Sequence, residues 1–288
     1  MSSPRLLVIE GNTAASRAEQ IAAGGVASGA GYADLLRELR PGATVDICYP
    51  ADGEVALPPG MALDGYDGAA ITGSALHVYD GGPAVQRQID LVRAALGAGM
   101  PVFGSCWGLQ LLTAAAGGSV HANPRGREIV YGRGIRLNAD GRAHPMYAGK
   151  AVVFDAMTFH RDEVAGVAPG TTVLAANAVS AVQAVEIRHG PAVAWAVQYH
   201  PEYPLREVAA IVRRAGTNLV TEGFFSDAGA LTRYATELDA LDRNPDDAAL
   251  AQRHGVDGAV LDKPMRVREL ANWIEHLVLP ARAQRGRG

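Results

Sequence analysis

Residues 101–118 restrict this chain more than any other stretch. Pro101-Val102-Phe103 is a short apolar run, Gly104-Ser105-Cys106-Trp107-Gly108 is a Gly-x-Cys-x-Gly turn, and residues 109–116 are an apolar helical pattern closed by Gly117-Gly118. The order predicts a strand, a sharp turn and a helix, with a cysteine at the bend. A side chain on such an elbow stands clear of its own backbone. The flanking glycines are expected to make room for the tight turn and for a bound molecule. A thiol just before a helix also meets the positive end of the helix dipole, which favours the thiolate. Gln110 lies one helical turn further on, on the same face.

The rest of the chain supplies a frame for that elbow. Leu6-Leu7-Val8-Ile9 and residues 44–49 and 66–74 read as further strands, alternating with helical patterns at 14–23, 32–39 and 83–96. In the last of these Val85, Ile89, Val92 and Leu96 share one face. Strand–helix alternation predicts an α/β fold with a doubly wound, mostly parallel sheet. Such sheets bind ligands at the carboxyl ends of their strands, where Gly73-Ser74 and Cys106 both fall. The glycine-rich residues 24–31 match neither a dinucleotide nor a phosphate loop and read as a flexible loop. Residues 129–197 change to short strands and turns, a mixed or antiparallel part of the same domain. Residues 1–215 are expected to form that domain and 216–288 a helical C-terminal extension, with 267–279 its best helix. The short basic tail at 281–288 reads as a frayed, solvated end.

Composition excludes several classes. Hydrophobic residues make up 48%, enough for a large core, and the formal net charge of −4 argues against nucleic acid or an anionic membrane as partner. No apolar run is long enough to span a membrane. The eight histidines and two cysteines show no metal-ligand spacing, and no cofactor is expected. Cys48 lies inside an apparent strand and reads as a small buried hydrophobe. Few cysteines and no N-terminal signal suggest a reducing, cytoplasmic setting.

A lone cysteine or histidine is ordinarily structural. Here residues 192–197 form an apolar strand that runs into Gln198-Tyr199-His200-Pro201-Glu202. The carboxylate two residues beyond the histidine can fix its tautomer and support its protonated state. Cys106, His200 and Glu202 are then a nucleophile, an acid/base and an orienter.

Gly104-Ser105-Cys106-Trp107-Gly108-Leu109-Gln110 together with Gln198-Tyr199-His200-Pro201-Glu202 closely resembles the class I (triad) glutamine amidotransferases. Residues 71–80 resemble the oxyanion strand, and residues 158–164 the histidine segment, of the branch similar to the glutaminase domain of GMP synthase. The resemblance covers residues 5–205, about two thirds of the chain, and implies the flavodoxin-like fold of that family. It also implies attack by Cys106 on the γ-carboxamide of glutamine or another γ-glutamyl compound. The oxyanion would be held by amides of Gly73 or Ser74 and of Trp107, and His200 would protonate the departing amine. Gln110, with backbone around His160, would hold the amino-acid end. The chain departs from the family in Thr72-Gly73-Ser74, where many members have Gly-Gly-Pro, and in the ~70 residues after Gly216. No ATP-pyrophosphatase motif is present, so the expected function is a glutaminase that releases ammonia to a separate synthetase. The alternative is a stand-alone γ-glutamyl amide or peptide hydrolase.

Overall fold

The computed structural model describes residues 3–53 and 57–286 of the chain. The strands are β1 (Arg5–Ile9), β2 (Thr44–Cys48), β3 (Gly68–Ile71), β4 (Val102–Ser105), β5 (Ser119–Ala122), β6 (Glu128–Leu137), β7 (Val153–His160), β8 (Asp162–Gly166), β9 (Thr171–Ala176), β10 (Ala184–His189) and β11 (Ala192–Val197). Among the described residues, nine of them form one sheet in the order β2-β1-β3-β4-β11-β10-β9-β6-β7, and β5 pairs with β8 beside it. The first five run parallel, and the remaining pairs are antiparallel. The doubly wound α/β sheet read from the sequence is therefore present, extended by an antiparallel half.

Helices α1 (Ala14–Ala22), α2 (Ser28–Leu39), α3 (Gly82–Gly97), α4 (Trp107–Ala115), α5 (Ala139–Ala143), α6 (Leu205–Thr221), α7 (Ala228–Arg243), α8 (Ala248–His254), α9 (Gly258–Leu261), α10 (Lys263–Arg266), α11 (Arg268–Trp273) and α12 (Leu279–Gln284) complete the chain, with a π-turn at Ile274–Val278. Leu7, Ile9, Ala69, Ile71 and Val102 pack on one face with α3 and α4. Leu6, Val8, Ala70 and Phe103 face the other way, toward Tyr32 and Leu36 of α2 and toward Trp273. Alternate residues of each strand thus enter two separate cores, which is why these strands read as unbroken apolar runs.

Three sequence expectations change. Residues 28–31 are not loop: α2 begins at Ser28, and Gly29 lies inside it. A Cβ on Gly29 would lie 3.1 Å from both Glu10 and Ile47, so this glycine serves close packing, and its N–H donates to Glu10 Oε2 at 2.6 Å. The tail is not frayed as far as Gly286. Arg282 is 7% exposed and donates to Asp67 Oδ2 at 3.1 Å, a long-range pairing that no local pattern signals; Arg287 and Gly288 lie outside the described residues. Residues 267–279 hold α11 and the π-turn in place of one regular helix. Helix α6 continues across residues 215 and 216, kinked where Gly216 has φ 35°.

The last helices are tied into the sheet. Trp273 lies 6.0 Å from Phe103. Buried Lys150 and Glu269 form an ion pair at 2.6 Å, and Tyr199 donates to Glu269 Oε1 at 2.6 Å. No helix among the described residues is long and apolar enough to cross a membrane.

Candidate active site

Cys106 sits between the end of β4 and the start of α4 with φ 51° and ψ −98°. Only a small fraction of non-glycine residues adopt a positive φ, and here neighbours impose it. The Cys106 N–H donates to Val197 O of the adjacent strand at 2.8 Å. A Cβ on Gly104 would lie 2.6 Å from the carbonyl carbon of Gly108, and one on Gly108 would lie 2.8 Å from Ile71 O. The elbow glycines therefore let helix and strands approach each other; they are filled by backbone and leave no room for a bound molecule, contrary to the sequence expectation.

Strand β11 runs parallel to β4 with Val197 opposite Ser105, so the chain beyond it delivers His200 beside the elbow. The His200 N–H is held by Met157 O at 2.7 Å. Its Nδ1 lies 2.7 Å from Glu202 Oε1, and the ring lines the same cavity as Cys106, whose sulfur lies 3.9 Å from Phe159 O. Burial disfavours the imidazolium, but the charge of Glu202 and the neighbouring Cys106 outweigh it and push the pKa up to about 10. Tyr203 stacks on the ring at 4.1 Å and 9°. Behind Glu202, Ser105 Oγ donates to Oε2 at 2.9 Å, and Tyr32 O–H and Ser105 Oγ are 3.1 Å apart. Four side chains thus form one line, Tyr32, Ser105, Glu202 and His200, which ends in the cavity that Cys106 also lines.

Gly73 and Ser74 follow β3. Asn12 Nδ2 and Thr72 Oγ1 both donate to the Gly73 carbonyl, at 3.1 and 2.9 Å. The amides of Gly73 and Ser74 have no acceptor among the described residues. Trp107 opens α4, where an amide lacks an intrahelical acceptor; its indole is turned away, donating to Gln88 at 2.8 Å. A Cβ on Gly73 would lie 2.6 Å from His200 Cε1, so only glycine admits the histidine ring here.

Gly73, Ser74, Cys106, Gln110, His160 and His200 line one cavity of about 260 Å³. Glu202 stands behind His200. Gln110 Nε2 donates to Asp162 O at 3.3 Å and to Gln198 Oε1 at 3.4 Å. The His160 ring is fully engaged, with Nε2 2.9 Å from Glu128 Oε2 and Nδ1 2.9 Å from Asp162 O. Its side chain is a strut between strands, which leaves main chain and neighbours to face a ligand. The sequence reading missed Ser105, Tyr203 and Asp162, although each lies within or beside a motif it used. It also missed Tyr32, whose pairing with Ser105 spans 73 positions and leaves no local trace. Among the described residues no cluster of His, Cys, Asp or Glu suits a metal ion.

The chain matches known proteins in sequence and in fold. The family described as glutamine amidotransferase class-I matches residues 36–217. A γ-glutamyl-L-1-hydroxyisopropylamide hydrolase from a Pseudomonas species is 34% identical over 285 residues, 97% of this chain and 95% of that protein. A glutamine-hydrolysing GMP synthase from Symbiobacterium thermophilum is 32% identical over 56% of this chain, which spans 29% of the synthase. In fold, the chain is similar to a glutamine amidotransferase from Thermotoga maritima, with a TM-score of 0.65 over 96% of this chain and 99% of that one at 17% identity. Taken with the sheet and the elbow, these matches establish that the chain belongs to the class I glutamine amidotransferase family.

Proposed function

We propose that this chain is a cysteine-dependent γ-glutamyl amide hydrolase that acts on its own. The observation that carries the chemistry is one cavity lined by both Cys106 and His200 at the carboxyl ends of adjacent parallel strands, with Glu202 2.7 Å behind the histidine. The Cys106 sulfur attacks the γ-carbonyl carbon and forms a C–S bond. The carbonyl oxygen gathers negative charge facing the amides of Gly73 or Ser74 and of Trp107. Imidazolium His200 gives its proton to the leaving nitrogen, the C–N bond breaks, and the amine departs. Neutral His200 then takes a proton from water, which attacks the thioester and releases glutamate and the thiolate. Glu202 holds Nδ1 and supports the charged ring throughout.

The preference for a substituted amide over glutamine rests on a relative that spans nearly the whole chain, a hydrolase of a substituted γ-glutamyl amide. The second reading, in which ammonia from glutamine passes to a separate synthetase, rests on the likeness to the glutamine-hydrolysing part of GMP synthases. Purified alone, the chain should release amines from a panel of γ-glutamyl amides faster than ammonia from glutamine. Partner-free turnover that is weak for every amide, and that rises sharply when a co-purifying protein is added, would replace the first reading with the second. A cytoplasmic setting fits two free cysteines.

A further inference from the structure

The loop at residues 72–81 carries Gly73 and Ser74. Its base is fixed from below. Asn12 Oδ1 accepts the Ala75 N–H at 3.0 Å, and Ser74 Oγ donates to Gly11 O at 2.9 Å while accepting the Leu76 N–H at 3.1 Å. Its far end is tied across the cavity to a single residue. His77 Nδ1 lies 2.5 Å from Asp162 Oδ2, and Tyr79 O–H donates to Asp162 Oδ1 at 2.9 Å. The rings of His77 and Tyr79 stack at 5.3 Å and 16°, which braces the pair. Asp162 is 3% exposed, and its main-chain oxygen takes both His160 Nδ1 and Gln110 Nε2.

One residue is therefore joined by its side chain to the loop with the oxyanion amides, and by its main chain to the wall expected to hold the glutamyl group. Both carboxylate oxygens are engaged by loop donors. Hydrogen bonds to a buried carboxylate are stronger and more directional than neutral ones. We propose that Asp162 is a positioning residue, and that the Asp162–His77–Tyr79 clamp sets the distance between the glutamyl-binding wall and the amides that face the oxyanion. The clamp rests on the γ-glutamyl hydrolase reading and adds to it the device that aligns substrate carbonyl and oxyanion hole. It acts on the transition state: the ground-state amide needs the wall, whereas only the tetrahedral intermediate needs the loop at its exact spacing from that wall.

The test compares Asp162→Ala, Asp162→Asn, Tyr79→Phe and His77→Gln with the natural chain on one γ-glutamyl amide, and measures kcat, KM, inhibition by glutamate, and the pH profile. A misplacement of about 1 Å costs about 100-fold in rate, so kcat in Asp162→Ala should fall about 100-fold. Single-bond losses in Tyr79→Phe and His77→Gln should cost about tenfold each. Asp162→Asn should recover part of the loss, because its amide can accept from Tyr79 and donate to a neutral His77. KM and the glutamate inhibition constant should stay within about threefold, and the pH limbs should not move, because His200 and Glu202 are untouched. Unchanged kcat in the Asp162 and Tyr79 variants overturns the proposal. So does a loss of glutamate binding equal to the loss of kcat, which would make the clamp a mere pocket wall. If Asp162→Ala does not fold, the two single-bond variants decide alone. Turnover that survives Cys106→Ala would overturn the hydrolase mechanism instead and leave the clamp variants a separate readout.

Discussion

The two cysteines occupy matching places. Cys48 is the last residue of β2, and Cys106 directly follows β4, so both stand at carboxyl ends of parallel strands in one sheet. Both are buried, at 1% and 5% exposure. Their neighbours differ. Cys48 lies in regular extended backbone on the edge strand, among apolar side chains, and burial pushes its thiol up to about 12. Cys106 follows a central strand, in positive-φ backbone, at the start of a helix and beside a histidine whose charged form a carboxylate supports. Burial alone silences a thiol. In the proposed mechanism, an adjacent imidazolium and a helix N-terminus are what would make Cys106 a nucleophile.

That contrast can be broken at several points. Cys106→Ala should lower kcat by at least about 10⁴-fold, as removal of a nucleophile does in comparable hydrolases; activity above that level would mean the elbow is not the reactive centre. Glu202→Gln should lower kcat about 10³- to 10⁴-fold. It should also shift the alkaline limb. His200 is charged below a pKa of about 10, so turnover that needs its proton is lost as pH rises through that value. Without the carboxylate the imidazolium loses a major support, and the limb moves to lower pH. The same sign holds for stability: the histidine's contribution is complete below its ordinary pKa near 6.5 and fades as pH rises toward about 10. An unmoved limb would detach Glu202 from the line. Ser105→Ala removes one donor to a carboxylate and should cost about tenfold in kcat, read with the same substrate. Cys48→Ser should leave kcat within about threefold while lowering stability by about 1–3 kcal/mol, because a hydroxyl replaces a sulfur in apolar surroundings; a thermal melt gives the second number. Alkylation at neutral pH should label Cys106 and leave Cys48 untouched.

Features written in consecutive residues were legible in the sequence. The strand–elbow–helix at 101–118 and the His200–Glu202 pair each need only a few positions and elementary chemistry. The two-faced core was legible because residues 6–9, 69–71 and 102–103 are unbroken apolar runs. Features that depend on distant contacts were not. Gly29 looks like a loop glycine until Glu10 and Ile47 are seen against it. Ser105 looks like a spacer until Glu202, 97 positions away, is found on its hydroxyl. His160 looks like a ligand-facing residue until Glu128 is seen on its far nitrogen. The tail looks solvated until Asp67 meets Arg282, 215 positions away.

The ion pair between Lys150 and Glu269 carries a consequence for how this chain can change over generations. The side chains are 3% and 0% exposed, and the pair bridges 119 positions to hold Tyr199, the residue before His200. Losing either charge alone strands the other in a dry interior, which costs about 3–5 kcal/mol, a large share of the stability a protein of this kind commands. Drift at one position is therefore barred until the other drifts with it. The last helices and the strand that leads to His200 are bound into a single heritable unit, and a lineage that exchanged its C-terminal segment for another would have to rebuild the floor beneath its histidine in the same step.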